Sequence, residues 1–172
     1  MTHLENGPVT RTRLGTFEEF VTATGDRMLR TAVLLTGDRH DAQDLVQSAY
    51  AHAFARWRLV VRADNPVAYV QTILTRLFLS DRRRRRVAES GWAPGFDAAA
   101  TPVDSTLRLA LLDALSGLPP RDRVVLVLRY FEDLSFAEVA GRLGLSQTAC
   151  RARASRALAR LRLRFPDLAD EA

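Results

Sequence analysis

The sequence predicts an all-α protein built as two small helical domains joined by a flexible linker, and three observations carry that prediction. Apolar residues recur at three- and four-residue intervals through most of the chain. Glycine, proline and small residues interrupt that period over residues 87–103, VAESGWAPGFDAAATPV, which reads as a linker. Residues suited to capping helices stand where the periodic stretches begin and end. A chain of 172 residues is long enough for two such units, and 47% hydrophobic residues against 26% charged ones exclude disorder as its main state.

In chain order, Phe17, Phe20, Val21, Met28, Leu29, Ala32, Val33 and Leu35 mark the apolar face of a first helix, which ends at Thr36 and Gly37. A second helix is expected from about His40 to Trp57, with Ala42, Leu45, Val46, Ala49, Ala53, Phe54 and Trp57 as its stripe. Asp41 and Asp44 lie favourably near its positive end. Asn65 caps a third helix and Pro66 takes its first position, where the missing N–H has no intrahelical partner to lose. That helix continues through Val70, Ile73, Leu74 and Leu77 into the basic run Arg82, Arg83, Arg84, Arg85 and Arg86.

Beyond the linker, Leu107, Ala110, Leu111, Ala114 and Leu115 form a helix that ends at Gly117. Pro119 and Pro120 open the next, which carries Val124, Val125, Leu128 and Phe131. Ser135 and Glu138 stand three apart, the spacing of a capping box, ahead of Val139, Ala140 and Leu143. Gly144 supplies a tight turn, and Ser146 caps a last helix from Gln147 to about Arg164, which Pro166 stops. A short helix, a tight turn and a longer basic helix make a helix-turn-helix.

Composition narrows the function. No run reaches the roughly 18 apolar residues of a membrane span, and MTHLENGPVTRTR lacks the apolar stretch of a signal peptide, so a cytoplasmic location is expected. Cys150 is alone and His3, His40 and His52 are scattered, so neither an internal disulfide nor a metal site is expected. No glycine-rich phosphate loop is present and Cys150 has no evident base partner; we expect no cofactor, no catalytic residues and no enzyme. All 25 basic residues are arginine, the formal charge is +5, and two patches concentrate the charge: Arg82–Arg86, and six arginines without an acid over 151–164. Arginine's rigid fork suits phosphates and guanine edges, which points to nucleic acid.

In a helix-turn-helix the N-terminal residues of the second helix approach base edges in the major groove. Here these are Gln147, Thr148 and Arg151, with Cys150 beside them; Arg153 and Arg156 are further base or near-base candidates, and Arg160, Arg162 and Arg164 read as backbone or surface charge. Five successive arginines at the end of a helix exceed what the helix dipole needs and cover every azimuth, which favours contact with a polyphosphate. Tyr69, Phe78 and Trp92 could stack on unpaired bases, although core packing suits Tyr69 and Phe78 better.

Three segments, TAVLLTGDRHDAQDLVQSAYAHAFARW (Thr31–Trp57), NPVAYVQTILTRLFLSDRRRRR (Asn65–Arg86) and LSGLPPRDRVVLVLRYFEDLSFAEVAGRLGLSQTACRARASRALARLR (Leu115–Arg162), resemble in their order and spacing the bacterial sigma factors of the extracytoplasmic-function group of the sigma-70 family, in particular the actinobacterial SigE-like branch. The resemblance covers about residues 14–166. It implies a sigma-2 domain over 14–86, a linker over 87–103 and a sigma-4 domain over 104–166, with no catalytic residues. It further implies that Asp41, Asp44, Leu45, Val46 and Gln47 dock on core RNA polymerase and that the helix from Asn65 to Arg86 lines the melted minus-10 element. The last helix would then read the minus-35 element as duplex. Unstacking a flipped base costs about a few kcal/mol, so a single-strand pocket and polymerase binding must offset melting.

An anti-sigma factor is a further candidate partner under this resemblance, and a monomer is expected when free. The chain departs from the family's pattern at Ala149 and Ala152, where hydroxyls are usual, and at Cys150, Arg151, Arg76 and Asp81. Promoter elements roughly 17 base pairs apart lie about 58 Å apart at 3.4 Å per pair, and a linker of about 17 residues reaches at most about 60 Å. A stand-alone helix-turn-helix regulator is the alternative reading; it uses residues 104–164 but leaves the Asp41–Gln47 helix and the arginine run without a role. A sigma-like decoy is a third, and it would have no need of Arg151, Arg153 and Arg156.

Overall fold

In the computed structural model, which describes residues 15–88 and 105–165, all regular structure is helical and no strand occurs among the described residues. Helices α1 (Phe17–Thr36), α2 (Arg39–Ala55), α3 (Trp57–Val60) and α4 (Pro66–Ala88) form one cluster. Helices α5 (Ser105–Ser116), α6 (Pro120–Leu126), α7 (Phe136–Leu143) and α8 (Gln147–Arg164) form the other, with a π-helical turn, Val127–Phe131, following α6. The all-α expectation is borne out. Most of the expected linker lies outside the described residues, although α4 continues through Val87 and Ala88.

Local chemistry sets the helix ends. The Asn65 side chain accepts from the Ala68 N–H (3.0 Å), as its cap position predicts. Ser135 and Glu138 close both halves of their capping box: the Ser135 hydroxyl accepts from the Glu138 N–H (3.2 Å) and the Glu138 carboxylate from the Ser135 N–H (2.8 Å). Ser146 accepts from the Ala149 N–H (3.1 Å). Gly144 adopts the left-handed φ of 63° that a residue without a Cβ takes at least cost. Gly37 has φ 79°, and a Cβ there would come within 2.5 Å of the Ser116 hydroxyl, so this glycine also lets the end of α1 approach the end of α5. Two caps were not anticipated: a box at Thr16 and Glu19, and Asp38 at the start of α2.

Two elements depart from the sequence expectation. The helix expected from His40 to Trp57 breaks at Arg56, and the chain restarts as α3, which buries Val60 completely and sets the Trp57 ring 5.3 Å from Phe17 and 5.4 Å from Phe20. Alanines and aromatics over 53–57 carry no stop signal, so tertiary packing makes this break. The helix opened by Pro120 widens into the π turn at Val127, and Phe131, expected in the apolar stripe, is 50% exposed. Phe54 likewise stands 62% exposed rather than in the core.

The two clusters share one apolar core rather than standing apart. Met28, Leu35, Leu74, Leu115, Val124, Val127 and Val139 are all fully buried in it. Helix α1 packs on α5, α6 and the π turn, and α4 packs on α6 and α7. Polar groups pin this seam. Arg27 on α1 forms an ion pair with Glu132 (2.7 Å), and the Thr31 hydroxyl donates to the same carboxylate. Burial alone would raise the Glu132 pKa, but the hydrogen bonds from Thr31 and Arg27 and the Arg27 charge outweigh it and hold the group below its ordinary value.

Arg123 donates to the Leu35 carbonyl at the end of α1, and to the Ser116 (2.7 Å) and Leu118 (3.2 Å) carbonyls of its own cluster. One guanidinium thereby caps helix ends in both clusters. Burial, aided by the charge of Arg82, lowers its pKa to about 10, so it stays charged at neutral pH. Across the seam Arg142 on α7 donates to the Gln71 side chain on α4 (2.9 Å).

Candidate nucleic-acid interface

The N-terminal half of α8 presents Gln147, Thr148, Arg151, Ala152, Ser155 and Arg156 as one exposed stripe, whereas Cys150, Ala154 and Ala157 face the core. The helical period of α8 thus separates a packing face of small residues from a polar face. Cys150, grouped in the sequence with the base-contacting residues, is fully buried, and burial raises its thiol pKa. Arg153 points inward and pairs with Asp122 on α6 at 2.8 Å, a carboxylate that is itself buried. Asp122 escaped the sequence reading because its partner lies 31 residues away and no local spacing marks the pair. Arg164 reaches Asp113 at 3.0 Å and ties the end of α8 to α5.

Arg151 projects from the stripe over the Phe136 ring, its guanidinium carbon 4.8 Å from the centroid. Arg129 lies 5.3 Å from the same ring and 5.3 Å from that of Tyr130. These contacts bring the π turn, α7 and α8 together at one edge of the helix-turn-helix.

The basic run on α4 is not uniform. Arg82 is half-buried, donates to the Thr36 carbonyl (3.3 Å) and lies 5.6 Å from the Phe78 ring. Arg84 approaches Asp81 (3.6 Å), Arg85 pairs with Asp41 (3.3 Å), and Arg83 is exposed with no ion pair among the described residues. The Arg86 side chain and Trp92 lie outside the described residues. Phe78 is core, with 2% exposure, as its packing reading anticipated.

On α2 the five residues expected to meet a protein partner divide by burial. Asp44 and Gln47 are exposed, Asp41 and Val46 are half-buried, and Leu45 is in the core. Asp41, Asp44, Asp81, Arg82 and Arg85 line a small cleft between α2 and α4, so the basic run and the α2 surface are continuous. Among the described residues no cluster of His, Cys, Asp and Glu could hold a metal ion, and no helix is long and apolar enough to cross a membrane.

Residues 20–87 match sigma-70 region 2 and residues 108–161 match sigma-70 region 4. The chain is 35% identical over 151 residues to the RNA polymerase sigma-E factor of Streptomyces coelicolor, with 85% of this chain and 84% of that protein covered. It is 37% identical over 150 residues to the ECF RNA polymerase sigma factor SigJ of Mycobacterium tuberculosis, spanning 78% of this chain and 46% of that one. The crystal structure of M. tuberculosis SigJ is similar at a TM-score of 0.64 and 31% identity, covering 86% of this chain and 53% of that chain. The fold is also that of the sigma factor RpoE of Bartonella quintana in complex with the anti-sigma factor NepR, with a TM-score of 0.75, 23% identity, and 87% and 96% of the two chains covered.

Proposed function

Because the chain belongs to the extracytoplasmic-function group of the sigma-70 family, we propose that it binds core RNA polymerase in the cytoplasm and directs promoter recognition, melting and transcription initiation, as a SigE-like member of that group. The observation that carries the reading is the division of α8 into a buried small-residue face and an exposed stripe of Gln147, Thr148, Arg151 and Arg156. Such a stripe at the start of a capped second helix can enter the major groove, with glutamine pairing adenine and arginine pairing guanine. Arg153 fixes the helix through Asp122 and thereby sets how that stripe is aimed.

In this proposal α4 and Arg83–Arg86 hold the melted minus-10 strand through its phosphates. Arg82 braces the end of α1 as well. Asp44 and Gln47 meet the polymerase directly, with Asp41 and Val46 at the margin and Leu45 supporting them from the core. The packed arrangement of the clusters bears on this function. With promoter elements about 58 Å apart and Arg142 of the helix-turn-helix resting on Gln71 of α4, this reading requires the clusters to separate on promoter engagement. An anti-sigma factor that holds them together would oppose initiation.

The experiment is binding of the full chain to purified bacterial core polymerase, with Gln47→Ala as comparison. Stable one-to-one binding that Gln47→Ala weakens about fivefold or more supports the reading. No binding to core by the natural chain would move it to a stand-alone helix-turn-helix regulator.

A further inference from the structure

Arg151 is exposed, and no carboxylate holds it among the described residues. Among the described residues its guanidinium rests on the face of Phe136, the guanidinium carbon 4.8 Å from the ring centroid. A long side chain on a helix surface samples many rotamers, and bidentate recognition of a base edge needs a single one. An aromatic face below the guanidinium narrows that choice while leaving the outward N–H groups available.

Phe136 is itself held firmly. It takes the first helical position after the Ser135 cap, whose two hydrogen bonds with Glu138 fix the start of α7. The Leu134 N–H donates to the Leu128 carbonyl (3.1 Å), so the turn ahead of the cap is closed as well. Within that turn Asp133 adopts φ 53°, a left-handed conformation that aspartate takes more readily than most residues with a Cβ. A second cation lies over the same ring: Arg129, on the π turn, lies 5.3 Å away, with Asp133 3.8 Å from its guanidinium. A π turn is rare and shifts the register of the residues it carries; here it sets Arg129 between the Tyr130 and Phe136 rings.

We propose that Phe136 is a specificity-determining positioning residue: its ring, kept in place by the Ser135 cap and by Arg129, is the platform that holds the Arg151 guanidinium in the orientation that reads one base pair of duplex DNA. This rests on the reading of α8 as the recognition helix. Phe136 touches no base in this arrangement and acts through Arg151.

The test uses the full chain assembled with bacterial core polymerase and a randomised duplex library, sequenced before and after binding, with thermal melting of every variant as a folding control. The natural chain should enrich a motif, and Arg151→Ala should flatten the preference at one or two adjacent base pairs. Phe136→Leu keeps an apolar side chain but no π face; it should reduce the preference at those same base pairs by about two- to fivefold. Phe136→Tyr, which keeps the face, should retain it. If Arg151→Ala flattens the motif while Phe136→Leu leaves base preference unchanged or weakens all positions evenly, the positioning role is overturned and the DNA-reading role of α8 stands. If no motif is enriched, or Arg151→Ala leaves it intact, the assignment of Arg151 falls and the platform falls with it.

Discussion

Glu132 and Asp122 are buried carboxylates, each answered by one arginine, and they do different things. Glu132 joins the two clusters through Arg27 and Thr31; Asp122 joins α6 to α8 through Arg153 within one cluster. Removing a buried partner leaves the other group without its hydrogen bonds, so Asp122→Ala should lower stability by about 3 kcal/mol, read as a fall in the denaturation midpoint. An unchanged midpoint would mean that Arg153 finds other partners. The Glu132 pKa is depressed in the folded chain, so its contribution is fully present above the ordinary carboxylate value of 4.5 and is lost as pH falls through the lower folded value. Acid titration of the natural chain should therefore show a loss of stability below about pH 4.5 that Glu132→Gln lacks, together with a deficit of about 2 kcal/mol at neutral pH in that variant. Neither carboxylate was legible in the sequence, because Arg27 and Glu132 stand 105 residues apart and only the fold brings them together.

Helix ends were legible where a side chain caps its own neighbours. Asn65, Ser135 with Glu138, Gly144 and Ser146 each act over three or four residues, and each takes the role its spacing implies. The break at Arg56 and the π turn at Val127–Phe131 were not legible, since neither carries a glycine, a proline or a capping residue and both arise from what the neighbouring helices demand. The same division runs through the candidate interface: Gln147, Thr148, Arg151 and Arg156 were singled out by their place on the second helix and are exposed, whereas the burial of Cys150, the inward turn of Arg153 and the Phe136 platform depend on the packing against α6 and on the π turn. Ser135→Ala removes one half of the capping box and should cost about 1 kcal/mol, checked by chemical denaturation. A loss confined to α7 in hydrogen exchange, with α1 and α2 unaffected, would show that the cap acts on its own element.

At the scale of the molecule, two helical clusters share a core and a polar seam, and under the proposed function this seam must open for promoter binding. Each of its three polar links uses a charged group, Glu132 with Arg27, Arg123, and Arg142 on Gln71, and Arg123 serves carbonyls on both sides. Combining Glu132→Gln with Arg123→Met should loosen the seam and raise the radius of gyration in small-angle X-ray scattering, without loss of helical content. An unchanged radius would assign the contact to the apolar core and the remaining Arg142–Gln71 bond. The family and the order of its two regions were readable from sequence segments; the closed arrangement was not, because a linker of about 17 residues permits both contact and separation.

Run-off transcription with purified bacterial core polymerase on pooled genomic fragments, with and without this protein and with every RNA start mapped, tests the central claim most directly. The account predicts discrete new starts that share two upstream motifs roughly 17 base pairs apart, and loss of those starts with Arg151→Ala. Absence of new starts in the presence of demonstrated core binding would contradict it, leaving a chain that occupies polymerase without directing it to promoters.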